Sequence, residues 1–173
     1  PVSRLSDITL GEDDFAVIAM PVYGGRIPAL AIERLKSQVK ANNAICAVVA
    51  VYGNRAYDDA LLELYKTCKE MGFNVVAAVG AIAEHSIIRK YGANRPDADD
   101  ITEMKSFGER IKEAILSGTI LQEGVIPGNF PYKKPISGPK PTADKSCKGC
   151  GKCASECPVG AILSDNLRKV NKD

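Results

Sequence analysis

The stretch Ala44-Ile-Cys-Ala-Val-Val-Ala-Val-Tyr-Gly-Asn-Arg55 runs apolar as far as Val51 and then breaks into a polar turn. The run shows no polar alternation, is too short for a helix and is rich in β-branched residues. Those features mark a strand buried on both faces, the kind that parallel sheets use. Two similar runs flank it. Phe15-Ala-Val-Ile-Ala-Met20 breaks at Pro21-Val-Tyr-Gly-Gly25, and Phe73-Asn-Val-Val-Ala-Ala-Val79 leads into a loop over residues 80–96. Helical spacing fills the gaps. Pro28 opens a stretch with Ile32, Leu35 and Val39 on one face, and Asp58 and Asp59 suit the start of a second. That second helix carries Leu61, Leu64, Tyr65 and Cys68 on one face before Gly72 stops it. A third starts at Asp99 or Asp100, points Ile101, Met104, Ile111 and Ile115 inward and ends at Gly118. This alternation predicts an α/β fold, a parallel sheet with helices on both faces. Ligands of such sheets sit beyond the carboxyl ends of the strands. The loops that start at Pro21, Tyr52 and Gly80 therefore share one edge.

From Gly124 the composition changes. Pro127, Pro131, Pro135, Pro139 and Pro141 alternate with glycine and lysine, which describes a linker over 124–141 or a strap across the preceding domain. The expected organisation is an α/β domain over 1–123, this linker, and a small module over 142–173.

That module contains Cys147-Lys-Gly-Cys150-Gly-Lys-Cys153-Ala-Ser-Glu-Cys157-Pro158, the spacing C-x2-C-x2-C-x3-C-P of bacterial ferredoxins. Thiolates at intervals of three let a tight backbone wrap an inorganic core. Gly149 and Gly151 allow sharp turns, and the proline keeps a helix from running on through the last ligand. Structural zinc takes two C-x2-C pairs a dozen or more residues apart, which this run does not resemble. The expectation is a 4Fe-4S cluster on Cys147, Cys150, Cys153 and Cys157. In two-cluster ferredoxins the fourth cysteine of such a run serves the other cluster. Either a second run lies beyond Asp173, as a truncated chain would have it, or Cys157 closes a single cluster.

Charge is segregated. Residues 1–130 hold 14 Lys and Arg against 17 Asp and Glu, while residues 131–173 hold 9 against 4. The tail lysines surround the cysteines, where they suit charge compensation or an acidic redox partner protein better than nucleic acid, for which no reader motif is present. No apolar run approaches the roughly 20 residues needed to span a bilayer. Closely grouped cysteines point to metal ligands in a reducing compartment, hence the cytoplasm. Cys46 and Cys68 stand apart in apolar segments and read as core residues. Asp97, Asp99 and Asp100 read as a charged helix start rather than a cation site.

The loops Met20-Pro-Val-Tyr-Gly-Gly-Arg-Ile-Pro28 and Val51-Tyr-Gly-Asn-Arg-Ala-Tyr57 resemble the two flavin-flanking loops of flavodoxin-like domains. With Ala83-Glu-His-Ser86 and Arg95-Pro-Asp97, the chain resembles bacterial fusions of a flavodoxin-like domain with a C-terminal ferredoxin domain. The resemblance implies an FMN contacted by Pro21, Tyr23, Gly24, Gly25, Tyr52, Gly53, Asn54 and Tyr57. Tyrosines would stack on the ring and glycines would admit backbone amides to its polar edge. It also implies that the family's first strands and its phosphate loop would lie upstream of Pro1, so that the chain is a fragment. His85, the only histidine, falls on the same edge. Three functions follow: an electron carrier coupling cluster and flavin, a flavin-dependent reductase fed by the cluster, or a partner-docking module that has lost flavin.

Overall fold

The computed structural model describes residues 6–134, 141–157, 159–163, 165–166 and 170. It forms two units, residues 1–135 and 136–173. In chain order the first unit contains β1 (Ile8–Leu10), β2 (Phe15–Pro21), α1 (Ala29–Gln38), β3 (Val39–Ala41), β4 (Ile45–Tyr52), α2 (Ala60–Glu70), β5 (Asn74–Ile82) and α3 (Ala98–Leu116). Among the described residues, the second unit contains one short helix, α4 (Lys152–Ser155), and an antiparallel bridge between Ile162 and Val170.

β2, β4 and β5 make a parallel sheet in that order, with Phe15 opposite Ile45 and Cys46 opposite Val75. One face is dry. Met20, Cys46, Val48, Ala50 and Val75 join Leu35 of α1 and Leu61, Leu64, Tyr65 and Cys68 of α2 in a single core. Full burial of a Val or Leu side chain contributes about 1.5–3 kcal/mol, so this face carries most of the unit's stability. The opposite face is thinly covered. Ile101 of α3 is 47% exposed and no residue of α3 is buried, so its apolar stripe leans on β5 without being enclosed. Over β2 that face is open, with Val17 61% exposed. The expectation of burial on both faces therefore holds for β4 but is corrected for β2, an edge strand.

Three local boundaries also differ. Val39 leaves the α1 spiral and becomes the first residue of β3, where it pairs in parallel with Ile8. Such three-residue strands are too short to carry a hydrophobic period. β5 continues to Ile82, so Gly80 lies within the strand and not in a loop. α3 starts one residue earlier than its acidic run suggests. Asp97 accepts from the amides of Asp99 and Asp100, and Asp100 returns a bond to the Asp97 amide, a reciprocal cap.

Much of the proline-rich stretch lies against the first unit as a strap. Leu121 donates its amide to the Val75 carbonyl at 2.9 Å, and Ile126 is buried in the core. Gly128 presses so close to α2 that a Cβ there would lie 2.7 Å from Leu62 Cβ. Asp59, only 2% exposed, then takes the Asn129 amide (2.9 Å), the Asn129 side chain (3.2 Å) and the Lys133 amide (2.7 Å). These neutral donors hold its carboxyl below the usual carboxylate range, the Lys133 amide most of all. Beside it, Glu63 binds Arg26 through Nε (2.8 Å) and a terminal nitrogen (2.6 Å) and accepts the Ile27 amide (3.0 Å). Arg26 also reaches the Lys133 carbonyl at 2.7 Å and lies 4.7 Å from the centre of the Tyr132 ring. The buried charges are matched.

Candidate metal centre

The four cysteines of the tail fall on different pieces of backbone. Cys147 follows a turn in which Asp144 accepts from the Ser146 amide (2.8 Å) and hydroxyl (2.6 Å). Cys150 is exposed in the loop before α4, Cys153 is exposed on α4, and Cys157 comes after it. Gly149 and Gly151 have φ of 67° and 75°, left-handed values that a side chain would resist, and α4 begins directly after Gly151. Among the described residues, nothing beyond the glycine's own chain neighbours lies within 4 Å of where a Cβ at either position would stand. The loop is thus bent and empty on the sides that small residues leave open.

Cys157 has a setting that favours the thiolate. The Ala161 amide donates to its sulfur at 3.3 Å. Amides of Val159, Ala161, Ile162 and Gly160 together push its thiol below the ordinary thiol range, the Val159 amide most strongly. Backbone N–H groups aimed at a sulfur stabilise thiolate and tune an attached cluster. Among the described residues, no three His, Cys, Asp or Glu side chains converge as metal ligands, so the four thiols are not gathered at one point. The donor chemistry nonetheless fits iron and sulfide. All four donors are soft sulfur, two are exposed, and one already sits in a ring of amides.

Residues 144–163 match the family model of the 4Fe-4S binding domain. No curated protein and no solved structure matches the chain. The 4Fe-4S binding domain covers all four cysteines and places an iron–sulfur module near the C-terminus of a mixed α/β chain with parallel sheets. Among the described residues, no helix is long and apolar enough to cross a membrane.

At the carboxyl edge of the sheet, the loops expected to face a flavin do lie together. Tyr23-Gly24-Gly25-Arg26 closes on itself through paired bonds between Tyr23 and Arg26 (2.9 and 3.2 Å), and Tyr23 is 64% exposed. Pro21 ends β2 and is exposed, while Asn54 takes a φ of 57° in the exposed turn after β4. Tyr52 and Tyr57 meet edge to face at 5.1 Å. The space beside the glycines goes to the protein's own side chains. A Cβ at Gly53 would lie 2.7 Å from His85, one at Gly80 would lie 3.0 Å from Tyr57, and Asp58 fills the side of Gly25. His85 accepts the amides of Ile87 and Ile88 on Nδ1, both at 3.1 Å, and so braces its own loop. Asp100 pairs with Arg95 and has its carboxyl drawn down to about 2, which accounts for the acidic run without a cation.

Sequence reasoning missed the cluster of Arg26, Asp59, Glu63, Asn129 and Lys133. Asp59 was legible only as a helix start, because its partners lie 70 and 74 residues away.

Proposed function

We propose that this chain is an iron–sulfur electron-transfer protein in which Cys147, Cys150, Cys153 and Cys157 hold one 4Fe-4S cluster. The observation that carries the reading is the ferredoxin spacing of those cysteines inside residues matched by the 4Fe-4S binding domain. A bound cluster supplies reversible one-electron chemistry. The polypeptide's share is to present four thiolates, aim amides at Cys157 and keep the loop open at Gly149 and Gly151. The α/β unit over 1–123 is the second half of the proposal: a flavodoxin-like domain whose edge loops, with Tyr23, Tyr52 and Tyr57, contact FMN. The parallel order β2-β4-β5 and the meeting of those loops at its carboxyl edge support it. A reducing compartment such as the cytoplasm suits exposed thiols.

The test is anaerobic reconstitution with iron and sulfide. The protein is expected to retain both in equal amounts, show broad visible absorption that bleaches with dithionite, and give a paramagnetic signal once reduced. Stoichiometric zinc in protein purified anaerobically, or failure to retain iron, overturns the cluster. Adding FMN to the protein and following its fluorescence tests the flavin half separately.

A further inference from the structure

We infer that the lysines interleaved with the tail cysteines form the docking surface for an acidic one-electron protein carrier. This inference rests on the electron-transfer reading above. Lys145, Lys148 and Lys152 are all exposed, and among the described residues none makes an ion pair. They alternate with the proposed ligands: Lys145 precedes Cys147 by two, Lys148 follows it directly, and Lys152 directly precedes Cys153. Positive charge is therefore set at the point where an electron would leave.

The acids nearby offset that charge only in part. The Ser146 bonds keep Asp144 ionised, and with Glu156 it sets two carboxylates against the three lysines of the matched stretch, so lysine stays in the majority there. Lys133 differs from these lysines, because Asp58 binds its ammonium at 2.7 Å. Exposed lysines that spend no charge internally can steer an oppositely charged partner and raise its association rate by about 10- to 1000-fold, an effect that salt erases. Lysine is suited to this task because its point charge on a flexible stem favours fast, non-bidentate encounter. Charge compensation of the bound cluster is the competing role, and it predicts no dependence on the partner.

Stopped-flow mixing of the reconstituted, reduced protein with two probes separates the roles. The probes are rubredoxin, a small acidic iron carrier, and cytochrome c, a basic one. In each encounter the probe's ferric iron takes one electron and becomes ferrous, this protein is oxidised by one electron, and no proton moves. The second-order rate with rubredoxin is expected to fall about tenfold between low salt and a few tenths molar, while that with cytochrome c stays level or rises. Joint Lys145→Glu, Lys148→Glu and Lys152→Glu substitution should cost about tenfold with rubredoxin at low salt, and Lys148→Gln alone about twofold. Carbodiimide should cross-link these lysines to rubredoxin carboxylates, a readout independent of turnover. A cluster-loaded protein whose rubredoxin rate ignores salt and charge reversal overturns the docking surface and leaves the cluster intact. Tighter binding of a single-stranded oligonucleotide than of rubredoxin overturns it too. Protein that never loads iron breaks the electron-transfer reading instead.

Discussion

The two groups of cysteine in this chain share a side chain and little else. Cys46 and Cys68 are fully buried between β4 and α2, and the contact with Cys46, together with burial, pushes the Cys68 thiol up. Cys150 and Cys153 stand exposed, and Cys157 is pushed down by surrounding amides. A thiol without a solvated or amide-lined setting is a small hydrophobe, whereas one that has it becomes a ligand or nucleophile. The same contrast separates the units. Residues 1–135 are stabilised by internal packing and matched charges, while the described part of 136–173 has no buried residue.

The sharpest way to break this comparison is to remove a ligand from the second unit. Cys150→Ala is expected to abolish cluster absorption entirely while leaving the main thermal transition of the α/β unit in place. Absorption and circular dichroism melts on one sample check both halves. If the α/β transition vanishes as well, the two units do not unfold independently.

That contrast was partly legible in the sequence. Uniform apolar runs gave away β2, β4 and β5, and the cysteine spacing gave away the module, because both signals are local. The rest depends on partners distant in the chain. Nothing near Asp59 announces Asn129 or Lys133, nothing near Val39 announces Ile8, and nothing in Phe15–Met20 says that one face of β2 stays bare. Gly53 and Gly80 were legible as tolerant of close approach. Which side chain approaches, His85 or Tyr57, is a matter of tertiary arrangement.

The next largest effect belongs to the half-buried ion pair of Arg26 and Glu63. Glu63→Ala leaves the Arg26 guanidinium and the Ile27 amide without their acceptor and should cost about 3 kcal/mol in denaturant unfolding of the α/β unit. Cluster absorption should be untouched, the mirror image of Cys150→Ala.

Asp59 adds a pH signature. Its folded-state pKa lies below its unfolded value of about 3.9, so the stability it contributes is complete above that value. That contribution is lost as pH falls through the folded pKa. Asp59→Asn should therefore cost about 2 kcal/mol near neutrality. Melting curves of the two proteins should converge only below about pH 4. Convergence at higher pH would mean the strap is held by something other than this carboxylate.

The smallest effect is the most direct comparison of the two thiol groups. Cys46→Ala should lower α/β stability by about 1 kcal/mol and leave the iron content unchanged. Loss of iron in this variant, measured by metal analysis, would collapse the distinction between the two groups.

The outer margin of β2 has a practical consequence. Among the described residues no strand pairs with β2 on that side, and Phe15–Pro21 carries no charge and a proline only at its last position, where natural margins usually place such safeguards along the strand. In concentrated solution such a margin acts as a template on which further chains can line up and grow. A single lysine at Val17, already turned to solvent, is the least disruptive way to keep the protein dispersed.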